Sequence, residues 1–525
     1  MVDSIPCPEI ITTRDRIGIS HAANEARSGA FSVALKDILV IDIEREKDRE
    51  GLWHLTEVAA YSPVPMDDGT KIEVRRYKPH LAGGEVGQSF FEPQETWNKE
   101  QISFWTGKFR NRVLIGHNVG TDFDNLTEAG MSMKPDSVGL IDTLELAQLA
   151  FPFNKDERGK KSLSLQALAT SLKLDPEQKL RLPGQRHHAS NDAILCWRLV
   201  QRILETLRGW SPQRLLAVLQ LLPPECYLRR FLLQQVPAPD DIPRRKIPLA
   251  QVIGKFPDLP KPLPTGQRLP QTKQAHELLN AGGPFSNSDP KFEFRSIQCE
   301  LAEAVGGCLE QGGVLFAEAG TGTGKSLAAL VPALARVRQQ PSEPVVISTY
   351  THLLQEQLVG KDLPSLKQAL GPVRVVILKG KGNYLDLDAL DARRSEQIER
   401  IAEGERSRSV RSEGFFLACL VTWVAEGVAQ ERDHLDQWDH VFCGDFSDLT
   451  SSWLPAAYGA DFTNFLGSFQ EALGESADAG GTAPRLFQRA RDLAHSAELV
   501  VVNHALWLTS QACLLYTSDA ADDTP

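Results

Sequence analysis

DILVIDIE, residues Asp37 to Glu44, is the stretch on which the reading of the first half of the chain turns. Its run of branched apolar residues suits a strand, and side chains two apart in a strand leave the same face. Asp42 and Glu44 therefore stand side by side, roughly 7 Å apart along the strand, as two carboxylates that reach one metal cluster would. Alone, such a pair in a sequence this acidic reads more readily as a solvated strand end, so its surroundings decide.

Outward from it, residues 31 to about 210 alternate strand-like and amphipathic helical runs, the mark of an α/β domain. "RVLIGHN" (Arg112 to Asn118) is a second strand, while "SLSLQALATSLKL" and "NDAILCWRLVQRILETL" are helices. Asp122 follows the strand end Gly116-His117-Asn118, "IDTLELAQLAFP" opens a helix after Asp142, and "RHHASNDAILCWRLV" supplies His187, Ala189 and Asp192 as H-x-A-x-x-D.

This order and spacing resemble the DEDDh 3'-5' exonucleases over roughly Asp37 to Leu207. The resemblance implies a ribonuclease H-like domain in which Asp42, Glu44, Asp122 and Asp192 hold two divalent ions and His187 activates the attacking water. His117 and Asn118 are then expected to touch nucleic acid. Asp124 competes with Asp122 as the second-motif ligand, and His188 neighbours the base. Arg45 and Thr121 replace the family's threonine and aromatic residue, which leaves open a nucleic-acid-binding module with a degenerate nuclease. The chemistry asks for the same set independently: two Mg²⁺ or Mn²⁺ ions held by hard oxygens stabilise the incoming and leaving oxygens of a phosphodiester displacement. A histidine takes a proton from water near neutral pH.

The second half carries "EAGTGTGKSLAAL", Glu318 to Leu330, after an expected apolar strand at Val314 to Phe316. Backbone N–H groups of Ala319, Gly320, Thr321, Gly322, Thr323 and Gly324 suit phosphate oxygens, Lys325 the β/γ charge of ATP, and Ser326 a Mg²⁺ ion. "FEFRSIQCELAEAV", "PVVISTYTHLLQEQLVGKDLP", "ILKGKGNYL" and "RARDLAHSAELVVVNHALW" complete a resemblance to DinG and XPD-type helicases from about Lys291 to Trp507. It implies adenine contacts from Arg295 and Gln298 and DNA-backbone contacts from Thr349 and Thr351. Only Cys419 and Cys443 fall where iron–sulfur members place four thiolates, so no iron–sulfur cluster is expected. An exonuclease joined to such a helicase is the arrangement of DinG-like helicase/exonucleases.

These readings divide the chain into an N-terminal extension (1–30), an exonuclease domain (31–210), a proline-rich linker (211–288) and an incomplete P-loop, RecA-like domain (289–510), with an insertion at about 370–490. No D-E-x-H segment follows "NHALW", and residues 511–525 are expected to be a non-native tail on a truncated frame. Single-stranded DNA 3' ends are the implied partner. The net charge of -11 confines polyanion contact to local patches, with "VRRYK" (Val74 to Lys78), "KFRNR" (Lys108 to Arg112) and "RGKK" (Arg158 to Lys161) as candidates. Eight scattered cysteines without a C-x-x-C pair suit reduced thiols, and neither a secretory leader nor a membrane-spanning run is read. The expected location is the cytoplasm, with no membrane partner.

Overall fold

The computed structural model describes residues 34–47, 53–65, 71–78, 95–132, 138–156, 162–175, 188–236, 242–259, 271–289, 292–340, 344–350, 354–355, 358, 362–434, 441–445 and 486–508. They fall in two compact units: residues up to 254 with 389–426 make the first, and 255–388, 427–445 and 486–508 the second.

In chain order the first unit contains β1 (Ile38–Lys47), β2 (Trp53–Tyr61), β3 (Ile72–Lys78), β4 (Glu95–Thr96), α1 (Lys99–Phe109), β5 (Arg112–Gly116), α2 (Val119–Glu128) and β6 (Val138–Asp142). α3 (Thr143–Ala150), α4 (Leu165–Ser171), α5 (Ala189–Arg208), α6 (Pro212–Leu221), α7 (Tyr227–Gln235) and α8 (Leu249–Ile253) follow. The sheet order is β4-β3-β2-β1-β5-β6, with β1, β2 and β3 antiparallel in turn and β1, β5 and β6 parallel.

β1 is covered on both faces, which explains its nearly unbroken apolar run. Leu39, Ile41 and Ile43 meet Trp105 and Phe109 of α1 and Val119 and Leu126 of α2. On the other face Ala59 of β2 packs on Ala189 and Ala193 of α5. α5 also buries Leu195, Leu199, Ile203 and Leu207, at roughly 1.5 to 3 kcal/mol for each side chain removed from water.

The expected domain boundary at 210 and the linker reading of 211–288 need correction. Ser211 caps α6, accepting from Arg214 N at 3.2 Å, and Pro212 sits in the first turn, where its missing N–H leaves no bond unmade. Leu215, Val218 and Leu219 of α6 and Phe231 and Leu232 of α7 are buried. The proline run that suits a linker begins only at Pro237, after these two helices.

The second unit holds α9 (Ser296–Gln311), α10 (Lys325–Gln339), β7 (Val345–Thr349), α11 (Leu363–Leu370) and β8 (Val375–Ile377). Next along the chain are α12 (Leu387–Ala402) and α13 (Arg408–Asp433), then α14 (Leu486–His495) and β9 (Leu499–Asn503). Its sheet is parallel, ordered β7-β9-β8, over a core of Val331, Leu334, Leu366 and Val501. Glu498, nearly sealed from solvent, joins α10 to the strand ends: it pairs with Arg338 Nε at 3.0 Å and accepts from Arg374 N at 2.8 Å. The strand expected at Val314 to Phe316 is absent. No described residue pairs with it, and Phe316 is 93% exposed; apolar composition alone makes no ladder.

Residues 389–426 of α12 and α13, read as part of a helicase insertion, pack within the first unit. Arg214 pairs with Glu426 at 3.1 Å, Gln397 donates to the Leu221 carbonyl at 3.3 Å, and Lys246 pairs with Asp391 at 2.6 Å. A methyl on Gly414 would come within 2.0 Å of the Leu221 oxygen, so only glycine admits this approach. Ser409–Asp433, within α13, has the length and apolarity of a membrane span, at a mean hydropathy of 1.3, which the sequence reading passed over; 78% of its most apolar window is buried, as in a core helix.

Candidate functional site

Three parallel strands, β1, β5 and β6, direct their carboxyl ends to one place, where open α/β sheets bind ligands. Gly116, ending β5, lies so near β1 and α2 that a methyl there would reach 2.9 Å from Val119 and 3.2 Å from the Ile41 carbonyl. Asn118 then turns the chain through φ 63° into α2, and Asp142, ending β6, pairs across from Gly116. The N-terminus of α5 enters over the β1–β2 face.

The result is a group of acids. Ligand oxygens of Asp42, Glu44 and Asp192 lie within 4.8 Å of one another. Asp122 stands outside that triad but is buried, with Oδ2 lacking a hydrogen-bond partner among the described residues. Burial first, then the charges of Asp142 and Glu44, raise its carboxyl well above the ordinary range. Asp124, the competing second-motif acid, is half-buried on the same helix.

Asp142, read from sequence only as a helix start, belongs to this group. Its Oδ1 accepts from Asn118 N and Leu144 N, both at 2.8 Å, yet burial and the neighbouring Glu145 push it up to about 7. Its capping role concealed the second one, since Asp before a helix is an ordinary N-cap. The Cys196 thiol, on the buried side of α5, is pushed up by burial and further by Asp42, Asp142 and Asp122. Buried acids this close repel one another, and a divalent cation offsets that repulsion better than solvent does. The donor set fits such ions, being all oxygen and hard.

Other expected site residues divide. His187, the expected base, and Thr351 lie outside the described residues, as does "RGKK". His117 is engaged within the fold: Nε2–H donates to the Leu163 carbonyl at 2.9 Å, and Nδ1 sits 3.0 Å from Thr143 Oγ1. The Asn118 side chain donates to Thr121 Oγ1 at 2.9 Å and is placed at the surface. Arg45, which replaces a family threonine, bonds Asn125 and Glu128 of α2, on the face away from Asp192. It does not intrude among the carboxylates.

In the second unit, Gly322 (φ 79°) and Gly324 (φ 82°) bend the loop as only glycine does readily, and α10 begins at Lys325. Lys325 Nζ donates to the Ala319 and Gly320 carbonyls at 2.8 and 2.7 Å, and Ser326 follows in the first turn of α10. Arg295 and Gln298, expected at adenine, reach the loop backbone: Arg295 donates to Gly322 O, and Gln298 Nε2 to Gly324 O at 3.0 Å. Gly324 admits that approach because a methyl would meet Gln298 Nε2 at 2.1 Å. The Thr349 hydroxyl donates to Val502 O at 3.5 Å on β9.

No protein-family model matches the chain. It is 35% identical over 228 residues to the ATP-dependent helicase DinG of Mycobacterium tuberculosis, covering 40% of this chain and 30% of that protein. It is 30% identical over 241 residues to the ATP-dependent DNA helicase YoaA of Haemophilus influenzae, covering 46% and 32%. The 3'-5' exonuclease DinG of Bacillus subtilis is 26% identical over 440 residues, which is 80% of this chain and 40% of that protein. The chain thus spans about a third of the helicases it matches. An alignment of 440 residues fits within neither half, so the DinG-like resemblance read from the motifs holds across both.

Proposed function

We propose that the first unit is a metal-dependent 3'-5' exonuclease acting on single-stranded DNA ends, and that the second is the nucleotide-binding part of a DinG-like helicase. The observation that carries this is the convergence of Asp42, Glu44 and Asp192 within 4.8 Å at the carboxyl ends of parallel strands. An antiparallel β3-β2-β1 continued by parallel β5 and β6 supports a ribonuclease H-like reading, and the parallel β7-β9-β8 sheet a RecA-like one. Cytoplasmic action on DNA follows as part of the same proposal.

Asp42, Glu44, Asp122 and Asp192 would hold the divalent ions, whose positive charge stabilises the attacking and leaving oxygens of the phosphodiester. His187 takes a proton from the attacking water. The water oxygen bonds to phosphorus, the bond from phosphorus to the 3' oxygen breaks, and that oxygen leaves with a proton as the new 3' hydroxyl. The freed product is a nucleoside 5'-monophosphate. Asp142 holds the turn after β5 through Asn118 N, fixing where α2 begins and so where Asp122 stands.

In the second unit, exposed N–H groups at the start of α10 and the Lys325 ammonium would bind the phosphates of ATP, with Ser326 on the associated Mg²⁺. Lys325, bonded to loop carbonyls, would exchange those partners for phosphate oxygens.

Digesting a single-stranded oligonucleotide with the whole chain and identifying the product tests the reading. Release of nucleoside 5'-monophosphates in Mg²⁺ or Mn²⁺ is expected. Endonucleolytic fragments alone would contradict it.

A further inference from the structure

One residue from each of three strands lines up across the face that carries the metal-ligand acids. Glu44 of β1 pairs with Glu57 of β2, and Glu57 with Arg76 of β3. Cross-strand partners share a face, so Glu57 and Arg76 look the same way as Asp42 and Glu44. α5 covers this face, Ala189 and Ala193 lying on Ala59 with Tyr61 and Val74 beside them, which brings its N-cap residue His188 to the row.

Glu57 joins the pieces. It is 5% exposed; Oε1 lies 3.6 Å from Arg76 Nη2 and Oε2 lies 3.5 Å from His188 Nδ1. Both partners are part-exposed over it, at 37% and 29% of their side chains. Arg75, the neighbouring arginine of "VRRYK", goes to the opposite face, lying 3.5 Å over the Phe104 ring with Nη1 donating to Gln101 at 2.9 Å. Lys108 of "KFRNR" pairs with Glu73 at 3.7 Å, and Arg112 donates to Lys36 O.

We propose that Arg76 and His188, held by Glu57, form a subsite for the substrate phosphate next to the scissile one. The proposal deepens the exonuclease reading and rests on it. A buried carboxylate opposite Glu44 adds repulsion to an acidic site, and holding an arginine and a histidine side chain where a polyanion would pass gives it a use. Two strand spacings place Arg76 about 10 Å from Glu44, too far for a ligand of the same ions and within reach of the next phosphate for a long side chain. An enzyme that removes the 3' nucleotide cuts the last linkage, so the neighbouring phosphate lies on the 5' side. A guanidinium carries five N–H donors in a fork that matches phosphate, so contact with Glu57 through one terminal nitrogen is compatible with phosphate binding through others. The subsite recognises charge and leaves base identity unread.

The test compares two substrates of the full chain: a single-stranded oligothymidylate, and the p-nitrophenyl ester of thymidine 5'-monophosphate, which has a scissile diester and no second phosphate. Arg76→Ala should lower kcat/KM on the oligonucleotide about tenfold relative to the ester, chiefly through KM, as loss of a hydrogen bond to a charged group does. Arg76→Lys should recover part of it. A neutral methylphosphonate at the second linkage from the 3' end should cost the wild type a similar factor and add little to Arg76→Ala. Equal losses on both substrates, or losses that add, would overturn the subsite. If the wild type hydrolyses neither substrate, the exonuclease reading fails by itself. Oligonucleotide binding in Ca²⁺ then decides the subsite: Arg76→Ala should reduce the salt slope by about 0.7, and an unchanged slope overturns it.

Discussion

The Tyr227 ring rests on Gly139 so closely that a methyl group at Gly139 would come within 2.8 Å of it. This contact fastens α7 to β6, the strand that ends in Asp142, and ties residues beyond 210 to the acidic site. Tyr227→Ala should destabilise the first unit by about 3 to 5 kcal/mol, as deletion of a large buried ring does. Gly139→Ala should cost about 1 to 3 kcal/mol through overpacking. Urea unfolding monitored by tryptophan fluorescence reads both. Wild-type midpoints in the two variants would mean the contact carries no stability.

A fragment of residues 31–210 should therefore expose the surfaces that α6 and α7 cover, and aggregate. Size-exclusion chromatography checks it, and a monodisperse, cooperatively melting fragment would show that the smaller boundary suffices.

Asp122 and Asp142 both hold protons more tightly in the folded protein than an unfolded aspartate does, so the native state binds the extra protons. Their contribution to stability is complete below the unfolded value of about 4 and fades as pH rises, Asp142 passing through its folded value near 7. Metal-free protein should lose melting temperature over that window. Mg²⁺ or Mn²⁺ should restore it at pH 8, since binding to the folded state alone stabilises it. Asp122→Asn, lacking one titrating acid, should melt a few degrees above wild type at pH 8 in chelator and gain less from metal. Identical pH profiles for the two proteins would contradict the burial of an ionisable Asp122.

Lys325→Ala removes the ammonium at the start of α10, in the compact unit that does not contain Asp42. Fluorescent ATP analogues should bind it at least tenfold more weakly, while nuclease turnover stays near the wild-type rate. Nuclease loss in a folded variant would require coupling between the two sites.

Much of the candidate site was legible because its acids sit at positions that local patterns mark. Asp42 and Glu44 follow from strand period, and Asp192 from its place at the mouth of an amphipathic helix. Glu57 and Arg76 were not legible: their significance lies in the register of β1 with β2 and β2 with β3, a long-range property that no local pattern encodes. The fold was legible wherever apolar period and caps agreed. Residues 212–235 fell under the linker reading because the proline run from Pro237 to Pro270 adjoins them, and Val314 to Phe316 read as a strand because apolar residues alone do not supply the neighbour a strand needs.

The central claim is that Asp42, Glu44, Asp122 and Asp192 cleave DNA from its 3' end through divalent ions. The direct measurement runs one oligonucleotide, labelled at its 5' end and separately at its 3' end, with wild type and Asp42→Asn, in Mn²⁺ and in chelator. The wild type with Mn²⁺ should give a ladder shortening one nucleotide at a time from the 5' label and immediate release of the 3' label as a mononucleotide. Chelator should abolish both, and Asp42→Asn should slow them at least a hundredfold, the scale of losing a principal catalytic group. Cleavage that survives chelation, begins at the 5' end, or proceeds undiminished in Asp42→Asn would contradict the account.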